Sequence, residues 1–222
     1  HLGNPTYKSS DSEFGNKGVV SFSSNGFKLK NQITNVKTVF MVYDRDGSST
    51  WRFVIGSTEH WHYHPGPYTI LSSSGYIDGA ASTVRVGGTP VVPWSTNFSD
   101  TPSILSYEIS PDNKTLNLIG SDRAYTAQSW IGDMAEVIIL DGTVSATERA
   151  NIIAYLSNKY NMDSDGDGFA NSIDLCPNNA TATNTKLTLY KDEDNDGYHT
   201  SDTKAFCTTE EGAANTPKYI AQ

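Results

Sequence analysis

Oxygen-bearing side chains recur at alternate positions in the run D-S-D-G-D-G-F-A-N-S-I-D, at Asp163, Asp165 and Asp167, and continue at Asn171 and Asp174. They fall on places 1, 3, 5, 9 and 12 of a twelve-residue loop, with Gly168 on place 6. That is the order in which a calcium loop presents its ligands. A hard cation takes roughly six to eight oxygens at about 2.3–2.6 Å, and the Phe169 carbonyl at place 7 adds one more. Gly168 permits the sharp turn. A solvated acidic linker needs acidity but no register, whereas this run puts its oxygens on the ligand places.

Place 12 holds Asp174 rather than the bidentate Glu of an EF-hand sensor, and no helical pattern follows. Both features predict a static structural site rather than a switch. A second, looser copy follows in K-D-E-D-N-D-G-Y-H, with Asp192, Asp194 and Asp196 alternating, Gly197 on place 6 and Tyr198 on place 7. Its places 9 and 12 are Thr200 and Thr203, with Asp202 one place early, so a weaker or differently closed site is predicted. Calcium is the expected cofactor of both.

The pattern D-x-D-x-D-G-x-x-N-x-x-D-x-C-P, Asp163 to Pro177, resembles the thrombospondin type 3 repeat. The second copy, with its leading Tyr190, is similar to metal-binding repeats of secreted bacterial proteins. The resemblance implies bound calcium in place of a large core, with disulfides crosslinking successive units. The two cysteines of the chain, Cys176 and Cys207, lie one in each repeat, and a Cys176–Cys207 disulfide is expected. On the chain-entropy account such a crosslink stabilises by about 3–4 kcal/mol. Disulfide and calcium together point to an extracellular, secreted or cell-surface location.

Charge is divided unevenly along the 222 residues. Residues 1–162 carry 12 basic and 14 acidic side chains, and residues 163–222 carry 4 and 11. No basic stripe exists to meet phosphates, so nucleic acid is not an expected partner. No run approaches the roughly 20 apolar residues of a membrane helix, so no membrane insertion is expected of this stretch. The sequence opens on His1 without a methionine, which reads as a processed or excised piece of a longer parent. Its neighbouring domains, or identical subunits, are expected partners.

The elements that must position any site are short apolar runs between turns, an all-β antiparallel sandwich pattern. Strands are predicted at 19–22, 36–43, 51–55, 84–86, 104–109, 116–119 and 134–140. Turn signals stand at Asn25-Gly26, Asp46-Gly47, Gly87-Gly88, Pro111-Asp112-Asn113 and Asp141-Gly142. One helix is predicted over 145–160, with Ser145 and Glu148 forming a capping box and Ile152, Ile153, Leu156 and Tyr160 at helical spacing. That stripe must lie on the sheet. The predicted organisation is a sandwich over 1–162 and a small irregular, disulfide-linked calcium-binding tail over 163–222.

The stretch Ala135 to Tyr160, a core strand followed by S-A-T-E-R and Y-L-S-N-K-Y, resembles the end of bacterial laminin G-like, concanavalin A-like domains. Thr38 to Tyr43 and Val20 to Phe22 fit their early strands. The resemblance implies a jelly-roll sandwich in a family that contains lectins, adhesion modules and glycan-cleaving enzymes, so function must be argued from a site. Its laminarinase-type enzymes carry closely spaced carboxylates on one strand. Here Asp133 and Glu136 come nearest, and strict alternation puts them on opposite faces, so no catalysis is expected.

In E-H-W-H-Y-H-P, alternation would put His60, His62 and His64 on one face and Trp61 and Tyr63 on the other. Three readings stand open: a zinc site on the histidines, a sugar-stacking platform on the aromatics, or core aromatics beside half-exposed histidines. Trp51, Trp94 and Trp130 carry the same ambiguity. Trp94 lies in loop-like surroundings and is the one expected at the surface, with Arg123 near the same rim. The function these residues imply is a non-catalytic carbohydrate-binding or adhesion module. A structural subunit of a stalk, sheath or filament is the alternative, and a glycan-active enzyme comes third.

Overall fold

The structure is a computed structural model that describes residues 4–46, 51–59, 63, 65–73, 82–109, 114–121, 128–162, 186–207 and 218–221. It divides into two compact units, 1–162 and 163–222.

The first unit is mostly β. Its larger sheet has seven antiparallel strands: β1 (Thr6–Asp11), β2 (Lys17–Ser23), β4 (Thr38–Tyr43), β6 (Thr83–Val86), β7 (Thr89–Val91), β8 (Ser103–Glu108) and β10 (Ile131–Leu140). Their spatial order is β1-β2-β10-β4-β8-β6-β7. A smaller antiparallel sheet is ordered β3 (Phe27–Val36), β9 (Lys114–Ile119), β5 (Ile55–Gly56).

Strand β4, T-V-F-M-V-Y, is buried along its whole length because it is covered on both faces. Val39, Met41 and Tyr43 point into the core shared with the small sheet, where Val36, Ile55 and Leu116 meet them. Phe40 and Val42 point the other way, onto the helix α1 (Ala146–Tyr160). Leu156 and Tyr160 of α1 complete that second core with Phe14, Val19 and Ile104. The predicted capping box is present: Glu148 N–H donates to Ser145 Oγ at 3.2 Å, and Ser145 N–H donates to Glu148 Oε2 at 2.8 Å. Asn161, in the left-handed region at φ 53°, ends the helix.

Several boundaries differ from expectation. The run expected as one strand over 36–43 is broken at Lys37, because Val36 closes β3 in the small sheet while Thr38 opens β4 in the large one. The expected strand at 51–55 reduces to Ile55–Gly56 and an isolated bridge at Phe53. Strands β1 and β3 were not predicted, since most of their side chains face water and leave no apolar alternation to read. Gly87 and Gly88, at φ 55° and 86°, turn β6 into β7 as their pairing predicted.

The second unit, expected to be irregular, contains a three-stranded antiparallel sheet among its described residues. Strand β11 (Leu187–Asp192) lies between β12 (Thr203–Phe206) and β13 (Lys218–Ile220). Among those described residues the buried apolar side chains are Leu189 and Phe206, with the Phe206 and Tyr219 rings 5.1 Å apart.

Candidate metal centre

Strand β11 ends on Asp192, and the chain reverses over the next ten residues before β12 begins. Cross-strand bonds close the turn on both sides: Thr200 N–H donates to the Lys191 carbonyl at 2.8 Å, and Lys191 N–H donates to the Asp202 carbonyl at 2.8 Å. Inside it, Asn195 and Gly197 take left-handed backbone at φ 60° and 89°. Asparagine and glycine are the residues that tolerate this, so Gly197 is required for its conformation. The turn brings carboxylate oxygens of Asp192, Asp194 and Asp196 within 4.8 Å of one another. Among the described residues this is the one such group of three.

Two features distinguish the group from a solvated acidic patch. At about 5 Å a pair of carboxylates repels by roughly 1 kcal/mol in water and by roughly 3 kcal/mol at an effective dielectric of 20. Asp192 is only 3% exposed, so water cannot screen it freely. Its Oδ2 accepts from Gly197 N–H at 3.2 Å, but its Oδ1 has no hydrogen-bond partner. A buried, unpaired anionic oxygen costs several kcal/mol. A cation at the convergence of the three carboxylates removes both penalties, and the donor set is all oxygen, as hard divalent cations require. The residues therefore fit a hard metal ion.

Asp202, counted among the expected ligands, is not in the group. Its backbone is held in the ladder beside Lys191, and its N–H donates to Thr200 Oγ1 at 3.3 Å. Thr200 donates its hydroxyl to the Lys191 carbonyl at 3.3 Å. The backbone at places 9 and 12 is engaged in strand pairing, Thr200 with Lys191 and Thr203 opposite Tyr190 at the start of β12. Tyr198 follows the group with its N–H on Asp196 Oδ1 at 2.8 Å and its side chain 81% exposed. The loop from Asp163 to Asp174, with Phe169 and Asn171, lies outside the described residues, as does Cys176. Cys207 is not a free thiol.

On the first unit, Trp94 is exposed at 41%, as its surroundings predicted. Trp130 is completely buried, its ring edge-on to Phe98 at 5.2 Å and Tyr43 at 5.7 Å, so its ambiguity resolves to core. Tyr63, for which a stacking platform and a core position both stood open, is 2% exposed and packs its ring on Tyr107 at 5.8 Å. Its ring is part of the core. Trp61, His60, His62, His64 and Arg123 lie outside the described residues.

The opposite-face expectation for Asp133 and Glu136 is overturned by a bulge. The register of β10 against β4 slips between Met134 and Glu136, so Ala135 is an extra residue. Asp133 bonds Ser21, while Glu136 accepts from Lys159 Nζ at 2.8 Å and Tyr160 OH at 2.9 Å, both on α1. Both carboxylates thus lie on the face that Val19 and Ile138 share with the helix. Each is held in its own polar network, Asp133 also accepting from Lys8 Nζ at 2.7 Å. Sequence reading also missed a cleft of about 480 Å³ lined by Lys8, Glu13, Asp44, Asp46, Asp100 and Asp133. Asp44 there accepts from Asp133 N–H at 2.6 Å, and burial pushes its carboxyl up to about 6. No known family, curated protein or solved structure matches the chain.

Proposed function

We propose that this chain is a non-catalytic adhesion or carbohydrate-binding module of a secreted or cell-surface protein, and that its second unit is a calcium-binding, disulfide-linked connector. The observation that carries the reading is the buried Asp192 with an unpaired Oδ1, set among carboxylates whose mutual repulsion a cation would offset. Calcium fits better than magnesium. A tight turn with carboxylates in irregular array meets calcium's flexible coordination and not the strict octahedron of magnesium.

A site with so few carboxylates stays filled where calcium is abundant, as it is outside cells. The same reading extends to the Asp163–Asp174 loop, whose ligand spacing is the more complete of the two, and to a Cys176–Cys207 crosslink, supported by the absence of a free thiol at Cys207. The first unit is read as a concanavalin A-like jelly roll. Its two antiparallel sheets around one core support that, and exposed Trp94 offers a stacking face to a glycan.

Calcium titration by isothermal calorimetry tests the proposal. The unaltered chain is expected to bind calcium at two sites, and Asp192→Asn is expected to lose one of them while the other stays. An unchanged stoichiometry and affinity in Asp192→Asn would refute the reading of this hairpin.

A further inference from the structure

We propose that the cleft between β1, β10 and the end of β4 in the first unit binds a linear polyamine, an organic cation whose ammonium groups are separated by alkyl links. The site is independent of the hairpin in the second unit and of the glycan reading.

The cleft has a volume of about 480 Å³, within the range of roughly 300–1,000 Å³ that small-ligand sites occupy. Part of its lining is fixed by buried groups. Asp133 on β10 is 7% exposed, and its carboxylate is held by Ser21 of β2 and by Lys8 Nζ at 2.7 Å. Arg45, just beyond β4, is 4% exposed and donates to the Tyr68 and Pro67 carbonyls at 3.2 and 3.0 Å. Both cations of the lining are thus already engaged. Against these two stand five carboxylates, of Glu13, Asp44, Asp46, Asp100 and Asp133, an excess of three negative charges when all are ionised. Among the described residues, the carboxylates of Glu13, Asp46 and Asp100 make no hydrogen bond or ion pair.

Spacing selects the class of cation. No three of these carboxylates bring oxygens within 4.8 Å of one another, as the three of the hairpin do. A single metal ion needs that convergence, whereas several ammonium groups on one chain, each with three donors, do not. Phe22 gives the lining an apolar stretch for the methylenes between them.

Asp44 registers the charge of the cleft. Burial is the chief reason its carboxyl is raised to about 6, and the charges of Asp133, Glu13 and Asp11 add to the rise, against the Asp133 N–H, which lowers it. The remaining charged groups of the lining are Lys8 from β1, Arg45 and Asp46 beside it in the chain, and Asp100 ahead of β8. Lys8 stays charged, its ammonium held by Asp133. A bound polycation favours ionised Asp44, so binding is expected to weaken as pH falls through about 6.

Amide NMR titration of the full chain with spermidine tests this, with fully N-acetylated, uncharged spermidine as control. Saturable shifts of the Gly132 and Asp133 amides are expected with spermidine and none with the acetylated form. The acidic hairpin is the competing binder, so Asp194→Asn is expected to leave those shifts unchanged, while the double variant Asp46→Asn, Asp100→Asn lowers affinity about tenfold. Between pH 7.5 and 5.5 affinity is expected to fall roughly threefold, and in Asp44→Asn to be the same at both values. The polyamine site is overturned if the cleft amides do not move, if acetylated spermidine binds equally well, or if the double variant binds unchanged. It is overturned equally if calcium rather than spermidine moves those amides, or if the pH dependence survives in Asp44→Asn.

Discussion

Two aspartates in this chain are forced into positions that aspartate does not favour, and they resolve the conflict differently. Asp192 is buried with an unpaired oxygen and with two neighbouring carboxylates, a conflict that a cation held among the three would relieve. Asp44 is part-buried in the cleft, where desolvation, reinforced by the charges of Asp133, Glu13 and Asp11, raises its carboxyl to about 6 against an ordinary value near 4, although the Asp133 N–H favours its ionised form. A proton relieves Asp44. Because its folded value lies above its unfolded one, the ionised group costs stability above about pH 6, and that cost disappears as pH falls towards 4. The cost is about 1–2 kcal/mol once water at its open edge is allowed for. Asp44→Asn, which keeps the acceptor for Asp133 N–H, is therefore expected to raise the melting temperature of the first unit by a few degrees at pH 7.5 and to do little at pH 4.5. Thermal melts across that range check it, and equal effects at both pH values would contradict it.

Among the elements, α1 shows most directly how local signals and packing combine. Its start is fixed by the Ser145–Glu148 box and its face by Leu156 and Tyr160 on the sheet. Ser145→Ala is expected to cost about 1 kcal/mol and Leu156→Ala about 2–5 kcal/mol in urea unfolding, the larger loss following from a cavity in a closed core. This helix was legible in the sequence because capping and periodicity agreed. So was β4 within the longer run over 36–43, whose apolar, β-branched stretch is consistent with a strand covered on both sides. Strands β1 and β3 were not legible, since their register comes from partners distant in sequence rather than from their own alternation. The Ala135 bulge left no sequence mark either, and it alone moved Glu136 onto the face of Asp133. The grouping of Asp192, Asp194 and Asp196 was legible from spacing. Asp202 stands outside that group, and its backbone is engaged with Lys191, a pairing its spacing could not announce. For Tyr63 alternation left the choice open, since it separates two faces without saying which one the core will cover.

At the scale of the whole molecule, charge and core are divided between the units. The first has two apolar cores and is nearly balanced, with 12 basic against 14 acidic side chains, whereas the second has 4 against 11 and, among its described residues, few buried apolar side chains. On the function proposed above, bound cations would offset the repulsion among the carboxylates of so acidic a unit. Among the described residues no helix is long and apolar enough to cross a membrane. The central claim is that an ion sits among Asp192, Asp194 and Asp196. Long-wavelength anomalous diffraction from crystals grown in calcium tests it most directly. The account predicts an anomalous peak at about 2.3–2.6 Å from Asp192 Oδ1, shared with Asp194 and Asp196 and absent from Asp192→Asn crystals. A hydrogen-bond donor or a water on Asp192 Oδ1, with no peak at the site, would contradict it.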